Sequence, residues 1–283
     1  MAIPARSLME FPIPDARQTV SARDAILYAL SVGYGSEPLD PAHLRRVVER
    51  DLIVIPTLAN VVAHAGPWMQ EAGVDWQQLV HAEQRLTIHR PLPLDRPLLS
   101  RSHMLSIVDR GADKGMFATF ERTIVTSAEE IPIASIVQTN ACRGDGGCGS
   151  AGVPLAPLAP VPERVADAMF SIRVPRDAAL LYRLNGDLNA LHADPAYAAA
   201  AGFPRPILHG LCTFGYAGYA IGRTLGAEDI ADVDFIAARF TSVVFPGDRL
   251  EFDIWHEGRD IRFRARVPER GVTALDYGNA RLA

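Results

Sequence analysis

The chain has almost no lysine. Lys114 is the only one, so arginine supplies 27 of the 28 basic residues, against 33 acidic residues. The net charge of −5 gives no electrostatic case for binding nucleic acid, because that binding depends on neutralising phosphates. Arginine still suits local contacts with a small phosphate-bearing ligand, since its planar fork matches phosphate oxygens. The abundance of arginine and alanine is typical of a high-GC bacterial genome.

Cysteine is also scarce, and long apolar runs are missing. The three cysteines are widely spaced and match no metal signature. No run approaches the roughly 18 apolar residues of a membrane span, and the first 15 residues lack the basic start and apolar core of a signal peptide. The final Arg281-Leu282-Ala283 is not the peroxisomal tripeptide. We therefore expect a cytoplasmic protein without membrane attachment.

Glycine and proline are concentrated in one stretch, residues 143–162. Its glycine-rich start resembles a phosphate-binding loop, but proline follows it instead of a helix. We therefore interpret the stretch as a linker that is flexible at first and then stiff. It divides the 283-residue chain into two units of ordinary domain size, 1–142 and 163–283.

Both units combine helical and strand patterns, which indicates an α+β fold with helices on one face of an antiparallel sheet. Apolar residues repeat at helical spacing over 18–30, with Ser21 in a capping position, and over 57–66 and 207–225. The last segment contains four glycines, so we expect a sheet to enclose it tightly. The predicted strands are 79–89, 103–108, 115–127, 131–142, 169–174, 235–244, 249–256, 260–267 and 272–281.

The two units match weakly at a constant offset of 154 residues. Three places agree: Tyr28 with Tyr182, Arg85-Leu86-Thr87 with Arg239-Phe240-Thr241, and the helix at 57–66 with the segment 211–220. Three matches at one offset favour duplication of one helix-plus-sheet unit.

Asp187, Asn189 and His192 bring a carboxylate, an amide and an imidazole together within six residues. In a turn after an apolar segment, this spacing can direct all three side chains into one cleft. A carboxylate and an imidazole can hold a water molecule, take its proton and return one, while the amide stays neutral and orients its neighbours. The alternative is structural, because Asp and Asn in loops most often bond their own backbone.

The repeat favours the chemical interpretation. The first unit has Gly33, Gly35 and Pro38 at the positions of those three polar residues. We therefore interpret the first unit as a non-catalytic copy that helps to shape the pocket. Its histidines, His64 and His81 among them, are interpreted as structural or surface residues.

A second segment, 203–215, places two prolines before an apolar helix that starts near His209. The start of a helix offers free backbone N–H groups, which suit a developing oxyanion. Asp194 is expected to cap the short helix that precedes this segment.

Together the two segments resemble the MaoC-like, R-specific enoyl-CoA hydratases. The resemblance rests on Gly186-Asp187-x-Asn189-x-Leu191-His192-x-Asp194-Pro195 and on Pro206-Ile207-Leu208-His209-Gly210. The family usually has proline where this chain has Ala190. The resemblance implies a double hotdog, with two helix-wrapping antiparallel sheets in one chain and a degenerate first half.

The resemblance also implies residue roles and a reaction. Asp187 and His192 would hold and activate water, Asn189 would assist them, and the Gly210 backbone N–H would bind the thioester carbonyl. Water would add reversibly and syn to a trans-2-enoyl-CoA, giving an (R)-3-hydroxyacyl-CoA. The reaction needs no metal and no redox cofactor.

Arg205 and His209 each have two interpretations. Arg205 either meets a phosphate of CoA or pairs with an acidic side chain. His209 either lines the pocket and contacts the substrate or bonds to the backbone at the helix start.

Two other functions are compatible with the same fold: a non-catalytic acyl-CoA-binding subunit and a thioesterase. The three polar groups in one loop favour hydration over both. With its eroded first copy, the resemblance to the two-lobed members of the family implies medium-to-long or bulky acyl-CoA substrates. The two-lobed chain is compatible with a homodimer.

Overall fold

The architecture is a long antiparallel sheet with one extended central helix. The structure is a computed structural model that describes residues 3–225 and 233–283. Its helices are α1 (Ala5–Met9), α2 (Ala22–Ser31), α3 (Pro41–Val47), α4 (Trp68–Glu71), α5 (Ala178–Tyr182), α6 (Pro195–Ala200) and α7 (Gly210–Leu225). Its strands are β1 (Ala16–Thr19), β2 (Leu79–Ile88), β3 (Pro97–Asp109), β4 (Met116–Thr126), β5 (Pro132–Cys142), β6 (Ala151–Gly152), β7 (Ala168–Arg173), β8 (Val233–Phe240), β9 (Arg249–Glu257), β10 (Asp260–Val267) and β11 (Val272–Leu282). Short 3₁₀ turns lie at Pro56–Asn60, Trp76–Gln78, Arg183–Asn185, Ala190–His192 and Pro268–Arg270.

The strands form a single 11-stranded sheet in the order β1-β3-β4-β5-β2-β8-β11-β10-β9-β7, with β6 beside β3. The pairing of β2 with β8 joins the sheet of the first half to that of the second. The predicted α+β class and double hotdog are confirmed, and the two helix-wrapping sheets prove to be continuous. Within the predicted linker, β6 holds residues 151–152 against the first half.

The register of β2 and β8 agrees with the offset found in the sequence. Gln84 lies opposite Ala238, so two residues that are 154 positions apart face each other where the halves join. Tyr28 and Tyr182, also equivalent, have ring centroids 6.1 Å apart. The duplicated halves are therefore related by an approximate two-fold axis that passes through this strand pair.

The helix α7 forms the centre of the core, and its glycines permit close packing. A Cβ on Gly215 would lie 2.4 Å from Cγ1 of Val32, so no larger residue fits without movement. The predicted enclosure of this helix by a sheet is confirmed by its contacts with β7, β8, β9 and β11. The close approach at Gly215, however, is to Val32 at the end of α2. The predicted start at residue 207 is wrong, since α7 begins at Gly210. The N–H groups of Ile207 and Leu208 donate to the carbonyls of Leu191 and Val244 in other parts of the chain.

The predicted helix at 57–66 is wrong beyond its first turn. Only the 3₁₀ turn Pro56–Asn60 forms, and Ala63 has a left-handed φ of 48°. The buried guanidinium of Arg122 donates to the carbonyls of Asn60 and Val62. Because those carbonyls accept from a side chain, a helical N–H is not needed to satisfy them. Among the described residues, α7 is therefore the one long central helix.

The helix predicted over 18–30 begins later, at Ala22, because Ala16–Thr19 pair with β3 as an edge strand. Its cap is as predicted: Ser21 Oγ accepts from the Asp24 N–H, and the Asp24 carboxylate accepts from the Ser21 N–H. None of the helices in the described ranges is both long enough and apolar enough to cross a bilayer.

Candidate active site

The candidate site lies where the loop after α5 meets the start of α7. Gly186 ends the 3₁₀ turn Arg183–Asn185 with φ at 112°, a conformation that glycine adopts without strain. This bend leaves the Asp187 side chain exposed. The 3₁₀ turn Ala190–His192 then returns the chain to the interior, where His192 is 8% exposed.

Asp187 and Asn189 each make the local bonds that the structural interpretation expects. Oδ1 of Asp187 accepts from the Asn189 N–H at 3.1 Å, and Oδ1 of Asn189 accepts from the Leu191 N–H at 3.0 Å. The bond to Asp187 stabilises the loop and uses only one of the two carboxylate oxygens. The side chain of Asn189 caps the 3₁₀ turn that carries His192, which is consistent with a role in positioning His192.

His192 has one ring nitrogen committed and one available. Its Nδ1–H donates to the Ile207 carbonyl at 2.9 Å, which leaves Nε2 with a free lone pair. Burial lowers the pKa of His192 below the ordinary 6.5, against the opposing charge of Asp187. The imidazole is therefore neutral near pH 7, which is the form that a general base requires.

His209 lies directly against the two candidate groups. Its ring stacks on that of His192, with 3.6 Å between centroids and 25° between planes. Its Nε2–H donates to the Asp187 carbonyl at 3.2 Å. Of the two interpretations offered by the sequence, the structure favours the backbone-bonded one, because this side chain is buried.

Gly210 begins α7 directly after His209, and the first-turn N–H groups of a helix have no partner within it. A Cβ at Gly210 would lie 3.2 Å from Cε1 of Phe240, so the position is close-packed. The equivalent residue of the first half is Pro56, which has no N–H. The first half thus lacks this donor as well as the three polar side chains.

An open cleft of about 1010 Å³ extends from His192 along the surface, lined also by Arg173, Arg176 and Arg205. Arg205 pairs loosely with Asp248, with 3.8 Å between Nη2 and Oδ1. Its guanidinium also stacks over Phe245. Three cationic side chains and the neutral His192 thus line one cleft, a combination that suits an anionic ligand.

The first half contributes two histidines that local sequence patterns did not connect with the site. The ring centroid of His81 lies 4.5 Å from that of Phe240, the ring beside Gly210. Burial lowers the pKa of the partly buried His81 to about 4, and the charge of Asp187 opposes the shift. His64 is exposed to solvent and lies within electrostatic range of Asp187. Only the tertiary packing of the two halves brings them there.

A metal centre is the other chemistry to consider for this cluster. Asp187, His192 and His209 each offer a ligand atom, all within 4.8 Å of one another. An imidazole lone pair lies in the plane of its ring, however, so two nearly parallel stacked rings direct their lone pairs side by side. They do not converge on one ion. The geometry suits proton transfer better than metal binding.

Comparisons with known proteins agree with the fold and the motifs. The family described as MaoC like domain matches residues 157–277, and the MFE-2 hydratase 2 N-terminal domain matches residues 19–144. The chain is 34% identical to the enoyl-CoA hydratase ChsH3 of Mycobacterium tuberculosis, with 91% of each chain covered. It is 33% identical to the peroxisomal enoyl-CoA hydratase 2 of Arabidopsis thaliana, covering 95% of this chain and 92% of that one.

A solved structure of a MaoC-like protein also resembles this chain in fold. A crystal structure of a MaoC-like dehydratase from Phytophthora capsici superposes with a TM-score of 0.85 at 26% identity, with 98% of both chains covered. The fold and the motif-bearing loop define a two-lobed hotdog protein. The chain belongs to the MaoC-like hydratase family, with a hydratase 2 type N-terminal half. The resemblance predicted from the two sequence motifs is confirmed.

Proposed function

We propose that this protein is an R-specific enoyl-CoA hydratase, adding water reversibly to trans-2-enoyl-CoA thioesters to give (R)-3-hydroxyacyl-CoA. One observation carries the proposal: His192 keeps a free Nε2 beside the Asp187 carboxylate, at the start of the helix that begins with Gly210. Two relatives that align over 91% and 95% of the chain are named as enoyl-CoA hydratases, which supports the proposal.

The chemistry follows from these groups. The pair Asp187 and His192 holds a water molecule and takes one of its protons while the oxygen bonds to C3. The alkene electrons move toward the thioester, and the carbonyl oxygen gains negative charge that the Gly210 N–H stabilises. The abstracted proton then returns to C2 from the same side, which makes the addition syn. No change of oxidation state needs an external carrier, so we propose that no metal or redox cofactor takes part.

The test is direct. Purified protein is mixed with crotonyl-CoA and with a longer trans-2-enoyl-CoA, the absorbance of the enoyl thioester is followed, and the product is analysed for chirality. Loss of the band with formation of the R isomer supports hydration. Release of free thiol would instead favour a thioesterase, and tight binding without turnover would favour a binding subunit.

The open cleft is proposed to hold the CoA moiety, with its phosphates against the arginines. Arg176→Met is expected to raise the KM for an enoyl-CoA about tenfold with kcat unchanged, because a hydrogen bond to a charged group contributes about 1.5–3 kcal/mol. The matched control uses the same variant with an N-acetylcysteamine thioester, which has no phosphates. An equal rise in KM with both thioesters would show that Arg176 does not act through the phosphates.

The dependence of the rate on pH should reflect His192. Since burial holds its pKa below the ordinary 6.5, kcat/KM is expected to stay level as the pH falls through 7. It should then decline as Nε2 takes a proton, because protonation removes the base. A pH profile of wild-type kcat/KM checks this. An acidic limb with its midpoint above about 7 would contradict a neutral, buried His192 as the base.

We also propose an acyl group, a location and an assembly for this protein. In the first half, a loop stands beside β2 where a helix was predicted. We propose that this loop leaves more room for the acyl chain, which favours medium-to-long or bulky acyl groups in acyl-CoA breakdown. The composition supports a cytoplasmic, bacterial protein, although several relatives are named as peroxisomal. A homodimer of the two-lobed chain is proposed from the fold alone.

A further inference from the structure

His209 makes contacts on three sides, and all of them involve the candidate site or its support. It donates from Nε2–H to the Asp187 carbonyl and stacks on the face of His192. On another side, its ring centroid lies 5.0 Å from that of Tyr182, a buried residue at the end of α5. The ring of His209 therefore contacts both the Asp187 loop and the His192 side chain.

The ring is neutral and shielded from solvent. Only 2% of His209 is exposed, and burial, followed by the neighbouring His192, lowers its pKa to about 4. Its Nδ1 is buried with no hydrogen-bond partner among the described residues. A neutral ring in this position presents no charge to a substrate.

A buried polar atom without a hydrogen-bond partner lowers the stability of the protein. A histidine at this position is therefore expected to have a function that offsets this cost. The equivalent position in the first half is Ile55, which is buried at 3% exposure. The first half, which lacks the three polar residues, therefore has an aliphatic residue at this position. The second half, which has Asp187, Asn189 and His192, has a histidine there.

We propose that His209 is a positioning residue: its ring holds the Asp187 loop by a hydrogen bond and the His192 ring by stacking, so that the two groups share one water molecule. It does not contact the substrate. The proposal rests on the hydratase function proposed above and adds a residue whose role there was undecided. It predicts two separable contributions, one from the N–H donor and one from the flat ring.

Two substitutions separate the contributions. His209→Phe keeps the stacked ring and loses the donor, whereas His209→Gln keeps an N–H and loses the ring. Each is expected to lower kcat for crotonyl-CoA about 10–100-fold, because misplacing a catalytic group by about 1 Å has effects of that size. KM should remain within about twofold, since ground-state binding is not altered. His103→Phe and His103→Gln, at an exposed site on β3, are the matched controls and should match wild type.

Each outcome decides the proposal. A wild-type kcat in both folded His209 variants would overturn it. A rise in KM at unchanged kcat would also overturn it, because His209 would then bind substrate. If neither variant folds, nitrogen-15 NMR of the wild-type histidines still tests the geometry: a neutral His209 protonated on Nε2, with that proton slow to exchange, is expected, and an Nδ1–H tautomer would overturn the proposal.

The two proposals fail in different ways. If wild-type protein hydrates no enoyl-CoA, the proposed function fails, and the NMR measurement still reports on His209. If wild type is active and the variants are equally active, the function stands and the positioning role does not.

Discussion

Asp187→Asn is expected to lower kcat for hydration by about 10²–10⁴-fold, the range that general acid–base groups contribute. The amide can still accept the hydrogen bond from the Asn189 N–H that fixes the loop, but it cannot take a proton from water. The measurement is steady-state hydration of a trans-2-enoyl-CoA, with circular dichroism and thermal unfolding to show that the variant is folded.

A matched control comes from the same stretch of chain. Asp194 caps α6 by accepting from the N–H groups of Ala196 and Tyr197, as predicted, and asparagine is an equally good cap. Asp194→Asn should therefore leave both kcat and stability close to wild type. Full activity in folded Asp187→Asn would remove the carboxylate from the mechanism, and with it the proposed role of this loop.

Arg122→Met is expected to cause the largest loss of stability, lowering the free energy of unfolding by about 2–6 kcal/mol. The guanidinium is buried and donates to the carbonyls of Asn60 and Val62. Methionine fills a similar volume but leaves both carbonyls unpaired, and each unpaired buried group costs about 1–3 kcal/mol. Urea unfolding of wild type and variant measures the difference, provided that the slope is unchanged.

Arg17→Met, at an exposed position on β1, controls for the loss of one positive charge and should change stability by less than about 0.5 kcal/mol. Equal stability of Arg122→Met and wild type would mean that the loop at 61–66 does not depend on the arginine. The loop would then need another explanation for the absence of a helix there.

The sequence predicted best where local rules decide the structure. The Ser21 cap, the Asp194 cap and the apolar face of α7 depend on residues within a few positions of each other, and all of them appear in the structure. The motif around Asp187 and His192 also lies within one short loop. Its residues lie close together in space because they are only a few positions apart in the sequence.

The failures share one cause, which is the influence of distant residues. The segment 57–66 has a helical pattern, but Arg122, some 60 positions away, satisfies its carbonyls and replaces the helix. His81 came near the site only through the pairing of β2 with β8, and His64 through the same assembly of the halves. No pattern within either half contains that information, since strand pairing between halves is a long-range event.

The pairing of Gln84 with Ala238 at the approximate two-fold axis has a consequence for stoichiometry. Two identical hotdog chains joined in this way would present two equivalent sets of reactive groups. Fusion into one chain allows the halves to diverge, and here Gly33, Pro38 and Pro56 stand in one half where Asp187, His192 and Gly210 stand in the other. A tight-binding product analogue should therefore saturate at one equivalent per chain. The other half is left free to change the shape of the acyl pocket without disturbing the chemistry.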